Sequence, residues 1–419
     1  MGHLISMVEL GKFIIKHHPS YSITVLTLTN SFTTGPITSY IRTISATIPA
    51  ITFHHLPKIP LDLQMYDSTA VIFELIRRSV QNVEDALRSI SPTALIIDFF
   101  CSPAMSSAAN ANVPVYYFIT SGACCLVTML YFQTLDQDYL GSFKDMNRLV
   151  YLPGLPPIPS SDMPELALDR NSTYYSAFLE LSQYLPKSAG IIVNTFDSLE
   201  PKPIKAIRDG VCVEDQHTPP LYCVGPLLAD AGDGSHECLN WLDSQPKRSV
   251  VYLCFGSEAG MFSSDQLWEI AKGLEMSGHR FLWVIRSRST MREDDWDLLL
   301  PDGFLDRTKG RGFVVKMWAP QVKVLSHKSV GGFVTHCGWN SVLEATRAVA
   351  LPMDVLEAAE VEKCVRQLMD SAEGKMVRRV VEAKRVDAAR ALSDNGSSRV
   401  ALAALVRSWR KDRGLSSHQ

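Results

Sequence analysis

Long apolar runs are missing from this chain. No stretch of its 419 residues approaches the ~18 that a membrane-spanning helix needs, and no basic segment leads into an apolar one at the start. The expectation is a cytoplasmic protein without a membrane span. An excess of either charge is missing too: the net charge is −3 and the pI about 6.4, which gives no electrostatic reason to expect nucleic acid or an anionic membrane as partner. The nine cysteines stand singly or as the pair Cys124-Cys125, with no CxxC spacing, and read as reduced, buried thiols rather than a disulfide or zinc framework. Metal-ligand spacing and short-period repeats are absent. No GxGxxG follows a strand-like run, which removes support from a nicotinamide-dependent oxidoreductase. Asn171-Ser172-Thr173 matches the glycosylation pattern, but without a secretory route it reads as chance.

What is present is an ordinary globular composition, 46% hydrophobic and 20% charged, in a chain long enough for two domains. Gly2 to His18 reads as a helix that is apolar nearly all round and therefore buried. Strands are expected at Tyr21 to Thr29, Ile51 to Leu56, Ala94 to Phe100, Val115 to Ile119, Ile191 to Asn194 and Leu221 to Val224. Between them, Tyr66 to Ile90 reads as one long amphipathic helix and Ser121 to Thr134 as another. After the linker-like ADAGDGSHE (residues 229–237), the alternation resumes with strands at Ser249 to Phe255, Phe281 to Arg286 and Gly312 to Lys316. Helices follow at Ala358 to Met369, Lys375 to Leu392 and Ser398 to Arg410. Alternating strands and helices imply parallel sheets with right-handed crossovers. The architecture predicted is α/β: two doubly wound, Rossmann-like domains facing a cleft. They would span residues 1–228 and 249–400, joined by a linker at 229–248 and closed by a helix at 401–419.

The stretch from Met317 to Glu344, MWAPQVKVLSHKSVGGFVTHCGWNSVLE, carries the most chemistry. Trp318, Pro320 and Gln321 read as a loop presenting an indole face and an amide, and Val330 to Thr335 as a buried strand. His336 to Ser341 makes the turn out of it, with Asn340 or Ser341 capping a helix that starts at Val342. A helix start at the carboxyl end of a strand suits a phosphate; an indole that can stack on a base and a carboxylate that can accept from ribose hydroxyls would complete a nucleotide site.

This stretch resembles the signature box of the plant UDP-sugar-dependent glycosyltransferases, with WAPQ, VL.H, GGF.THCGWNS and LE in order. The resemblance runs through GHLISMVELGK, LIIDFFC, IIVNTFDSLE, CVGPLL, SVVYLCFGS and FLWVIR, and is greatest to members that glycosylate flavonoid-type phenols. It implies the GT-B fold and sugar transfer, glucose in the first instance, from a UDP-sugar to a phenolic acceptor by a monomer that uses no cofactor or metal. By this resemblance Trp318 stacks on uracil, Gln321 faces the ribose or base, His336, Asn340 and Ser341 hold the diphosphate, and Glu344 accepts from the ribose. Ala319 and Trp339 belong to the same site, Ser257 meets a phosphate, and Thr120 lies close to the sugar. His3 is implied as the general base and Asp98 as its partner. The residues alone support that pairing, since a helix N-terminus disfavours the imidazolium and Asp98 is the lone charge in an apolar strand. Their bland readings are a structural histidine and a capped strand end.

Two departures qualify the resemblance. The family has a strand and a Pro-rich, Gly-rich turn before GHL, which suggests a start shortened here. After Glu344 the family continues through an apolar strand, a Trp-Pro step and an acid-glutamine pair that grips the sugar, whereas here Ala345-Thr346-Arg347 runs straight into Ala348 to Asp354. An internal excision fits that junction, and losing a core strand and helix would leave apolar faces uncovered. The alternative reading is accordingly a catalytically impaired UDP-binding relic, from alternative splicing or a faulty gene model.

Overall fold

The structure, a computed structural model, describes residues 2–28, 35–60, 68–214, 217–229, 236–256, 262–286, 299–345, 348–350 and 357–411. The chain divides into two compact units. One comprises His3–Leu227 together with Ala388–Gln419, the other Leu228–Asp387. The tail therefore departs from the sequence expectation: the boundary at residue 400 moves back to 387, and the last helix groups with the first unit.

In the first unit, helix α1 (Gly2–His17) precedes strand β1 (Ile23–Thr27), helix α2 (Gly35–Thr47) and strand β2 (Ile51–His55), with β1 and β2 paired in parallel. The all-round apolar character of α1 has a direct cause in packing. Val8 joins a cluster with Ile44 and Ile51, while Leu10 and Ile14 enter a second one with Tyr116, Phe118 and Ile192. The sequence reading missed α2, whose Ser and Thr residues lower helix propensity. The expected helix from Tyr66 to Ile90 is two helices, α3 (Ser68–Arg78) and α4 (Val80–Ile90); residues 66 and 67 lie outside the described residues. They break at Ser79, whose hydroxyl donates back to the Leu75 carbonyl at 2.6 Å, a local bond that competes with the helix ladder. Four further parallel strands, β3 (Leu95–Ile97), β4 (Val115–Ile119), β5 (Gly190–Val193) and β6 (Leu221–Cys223), form a sheet in sequential order. The strand expected to reach Phe100 stops at Ile97, because Asp98 turns the chain into a short 3-10 turn.

In the second unit the strands are β7 (Val250–Leu253), β8 (Arg280–Ile285), β9 (Gly312–Lys316), β10 (Val330–Thr335) and β11 (Ala348–Ala350), all parallel in the order β9-β8-β7-β10-β11. Helix α5 (Ser264–Ser277) covers one face together with α6 (Ala358–Asp370), sharing a core of Leu267, Ile270, Phe281, Trp283, Val361 and Val365. Beyond β10, Val334 pairs with Val349 of β11, so the residues that follow Glu344 add an edge strand to this sheet. Helix α7 (Ala372–Leu392) then leads to α8 (Ser397–Lys411), whose Leu402, Leu405, Val406 and Trp409 pack with Tyr116 and Tyr222 of the first unit. Chain order thus leaves the first unit at 227 and re-enters it at 388.

The strand order has a functional corollary. The chain moves outward one way through β8 and β9 and then back to the other side of β7 for β10. Between β7 and β10 their following loops diverge, and in open parallel sheets ligands bind at the carboxyl ends beside such a reversal.

Candidate functional site

The first unit brings His3 and Asp98 together. His3 Nδ1 donates to Asp98 Oδ2 at 2.5 Å, and the other carboxylate oxygen accepts from the Phe100 amide at 3.0 Å. Asp98 is therefore both the capping residue of its bland reading and the histidine's partner: one carboxylate oxygen caps the backbone turn while the other meets the ring. A carboxylate only accepts, so Nδ1 carries the hydrogen and Nε2 is left as the basic nitrogen. The burial is asymmetric, with the His3 side chain 59% exposed and that of Asp98 14%. Thr120 follows β4 directly, on the strand next to β3, and is half-buried. A chain of aromatic rings leads away from the pair. Phe100 lies 6.0 Å from the His3 ring, Phe73 lies 5.7 Å from Phe100, and Tyr174 lies 6.5 Å from Phe73. Phe73 and Tyr174 were not singled out from sequence, because neither sits in a motif.

The second unit gathers the residues of the signature stretch around the β7–β10 reversal. Met317 keeps the ladder by donating to the Ile285 carbonyl at 2.8 Å, but at φ +66 it throws Trp318 outward, 59% exposed. A non-glycine residue in that region costs of order 1 kcal/mol, and such strain tends to sit where a side chain must be presented. Ala319 and Pro320, which follow Trp318, are buried. Gln321, expected in a loop, is the first residue of a short helix, Gln321–Ser326. Its amide nitrogen donates to Glu344 Oε2 at 2.7 Å and to Ser341 Oγ at 3.3 Å, while its oxygen accepts from the Tyr252 hydroxyl at 3.4 Å. Burial pushes the Glu344 carboxyl above the usual range, and the bond from Gln321 partly offsets this.

The turn after β10 also corrects the sequence reading. Its helix runs from Trp339 to Glu344, not from Val342, with Gly338 at the cap position and no side-chain cap. Asn340 and Ser341 are thus residues of the first turn rather than its cap. Gly338 can hold that place because only a residue without a side chain fits against the neighbouring ring of His336. Burial pushes the His336 imidazole below its ordinary value, so the ring is neutral near pH 7. Its Nδ1 lies 3.3 Å from the fully buried Thr335 hydroxyl. Ser257 lies outside the described residues. Among the described residues no group of three metal-ligating side chains converges, no helix is long and apolar enough to cross a membrane, and all nine cysteines are free.

Residues 193–357 match the family described as UDP-glucoronosyl and UDP-glucosyl transferase. Over almost its whole length the chain is similar to UDP-glycosyltransferase 88B1 of Stevia rebaudiana, 43% identical across 98% of this chain and 96% of the relative. An anthocyanidin 5,3-O-glucosyltransferase of a Rosa hybrid cultivar is 42% identical over 98% and 97%. Phloretin 2'-O-glucosyltransferase of Malus domestica is 43% identical over 95% of each chain. The Stevia alignment runs over 449 positions against 419 residues here, so at least 449 − 419 = 30 positions fall opposite gaps in this chain. Among solved structures, Phytolacca americana UGT2 with UDP-2-fluoro-glucose and pterostilbene superposes with a TM-score of 0.90, at 34% identity over 98% of this chain and 97% of that one. Medicago truncatula UGT71G1 with UDP-glucose gives 0.84, at 30% identity over 98% and 96%. Two parallel-sheet units, a carboxylate-oriented histidine and an indole-to-carboxylate stretch at a strand-order reversal agree with these likenesses, and the chain belongs to the plant UDP-sugar-dependent glycosyltransferases of the GT-B fold.

Proposed function

We propose that this enzyme transfers a sugar, glucose in the first instance, from its UDP-sugar to a hydroxyl of a small phenolic or flavonoid acceptor, with inversion at the anomeric carbon. The observation that carries the reading is the His3–Asp98 pair, with both carboxylate oxygens committed and Nε2 left as base. Nε2 takes the phenolic proton, the phenolate oxygen forms a bond to the anomeric carbon, and the bond from that carbon to the diphosphate oxygen breaks. UDP leaves with the electron pair, and Asp98 stabilises the imidazolium until the proton is lost to water. A phenol has a pKa of about 10, so the base has modest work to do, and much of the rate comes from alignment and from stabilising the departing diphosphate.

Phe100 beside His3, with Phe73 and Tyr174 in turn beyond it, favours a planar aromatic acceptor, which can meet such rings edge-on or offset. That preference agrees with the anthocyanidin and phloretin named for the relatives and the pterostilbene named for the Phytolacca complex. On the donor side Trp318 is the platform for uracil, Gln321 with Ala319 borders it, and Glu344 receives the ribose hydroxyls. His336, Trp339, Asn340, Ser341 and Ser257 surround the diphosphate, and Thr120 meets the sugar. No cofactor beyond the UDP-sugar and no metal enters this scheme. The protein works as a cytoplasmic monomer in plant secondary metabolism, a setting in which free thiols persist.

Tryptophan fluorescence during UDP titration, together with UDP release in the presence of UDP-glucose and a panel of phenols, tests the reading. Quenching accompanied by release supports it. Quenching with no release from any phenol rejects it.

A further inference from the structure

Two glycine backbones come close to the His336 ring. A methyl group built on Gly256 would come within 2.4 Å of its Cε1, 2.7 Å of Nε2 and 3.2 Å of Nδ1, and a methyl built on Gly338 within 2.4 Å of Nε2, 3.0 Å of Cε1 and 3.2 Å of Cδ2. At both glycines the three nearest atoms all belong to this one ring. The two glycines come from different elements, Gly256 from the loop after β7 and Gly338 from the turn after β10, so the imidazole lies between the ends of the two strands that flank the order reversal. The backbones differ in what they demand. Gly256, at φ +77, is in the left-handed region where a side chain is itself strained. Gly338, at φ −56 and ψ 142, has a conformation open to any residue, so the ring alone explains its lack of a side chain.

We propose that Gly256 and Gly338 are positioning residues that clamp His336, fixing its imidazole as a pre-oriented donor to the diphosphate of the UDP-sugar. This rests on the reading of the second unit as the donor site. The Thr335 hydroxyl beside Nδ1 completes the device: by donating to Nδ1 it leaves the ring's N–H on Nε2, the polarity an anionic oxygen requires. A long flexible cation would bind the same oxygens only after losing its rotamer freedom, whereas a ring set close against two backbone segments has less to lose. Any side chain at either glycine would displace the ring and with it the hydrogen bond.

Calorimetric titration of the full chain with UDP and with uridine tests the clamp, using wild type, His336→Ala, Gly338→Ala and the double variant. His336→Ala is expected to weaken UDP binding about 10- to 100-fold, the usual loss for a hydrogen bond to a charged group, and to change uridine binding little. Gly338→Ala is expected to show the same loss with the same selectivity, and to add nothing on the His336→Ala background. If Gly338→Ala folds poorly, the double variant, which lacks the ring that the methyl meets, must recover the melting temperature of His336→Ala. The clamp is overturned by a Gly338→Ala protein that binds UDP like wild type, by equal losses for UDP and uridine, by additive losses in the double variant, or by failure of that recovery. A wild-type chain that binds no UDP overturns the donor-site reading itself, and the clamp with it.

Discussion

At His3 the deciding atom is Nε2. Asp98 holds Nδ1 and is itself held by the Phe100 amide, so the basic nitrogen has one orientation without any help from substrate. Asp98→Asn keeps the shape but offers an amide that can donate to Nδ1, which favours the wrong tautomer and no longer stabilises an imidazolium. The expected outcome is a fall in kcat of about 10²- to 10⁴-fold with UDP affinity unchanged, measured by single-turnover transfer and calorimetry. Glu344 makes a different trade. Burial raises its carboxyl pKa, so the folded state binds the proton more tightly than the unfolded chain, and stability falls as pH rises through the folded value. Above that value the penalty is fully present. Glu344→Gln removes it, so near pH 7 the variant should melt higher than wild type, with the difference vanishing toward low pH. On the proposed reading, in which Glu344 accepts from the ribose hydroxyls, the same change should weaken UDP binding about tenfold. At this scale the sequence was informative where a residue broke its surroundings. Asp98 stood out as one charge in an apolar run, while Phe73 and Tyr174 did not, because half-buried aromatics look the same in a core as in a substrate wall.

Among the elements, legibility followed pattern strength. The strand Val330–Thr335 could be read to the residue because an apolar run ends in a polar turn, but the helix after it starts three residues early. The shift has a physical basis: Gly338 is kept as glycine by the His336 ring, and the chain can turn into helix there without a capping side chain. Ser79 split a helix whose amphipathic periodicity ran unbroken, since a single hydroxyl bonding to Leu75 leaves no mark in that pattern. The last helix, α8, has ordinary amphipathic periodicity, which says nothing of which core its apolar face will meet. Leu405→Ala, at a site with no solvent exposure in the cluster that holds Tyr116 and Tyr222, should cost about 2–5 kcal/mol. Urea unfolding should report that loss in the first unit, although the substituted residue lies beyond the second unit in sequence. Loss of only the second unit's transition would contradict the assignment of α8.

For the whole molecule, two parallel-sheet units followed from strand and helix alternation and from the motifs, and the comparisons agree with that reading. The internal junction was legible as a departure but its outcome was not. The sequence showed only a departure from the family's pattern after Glu344, whereas the fold shows that Ala348–Ala350 pairs with β10 in parallel and continues the ladder there. The central claim is that a phenolic hydroxyl attacks the anomeric carbon after giving its proton to His3. Proton NMR of the product formed from UDP-α-glucose and a flavonoid, run beside a His3→Ala control, tests it most directly. The account predicts a β-linked glucoside from the wild-type chain and a loss of about 10²- to 10⁴-fold in the control. An α-linked product, or equal β-glucoside from both proteins, would contradict it.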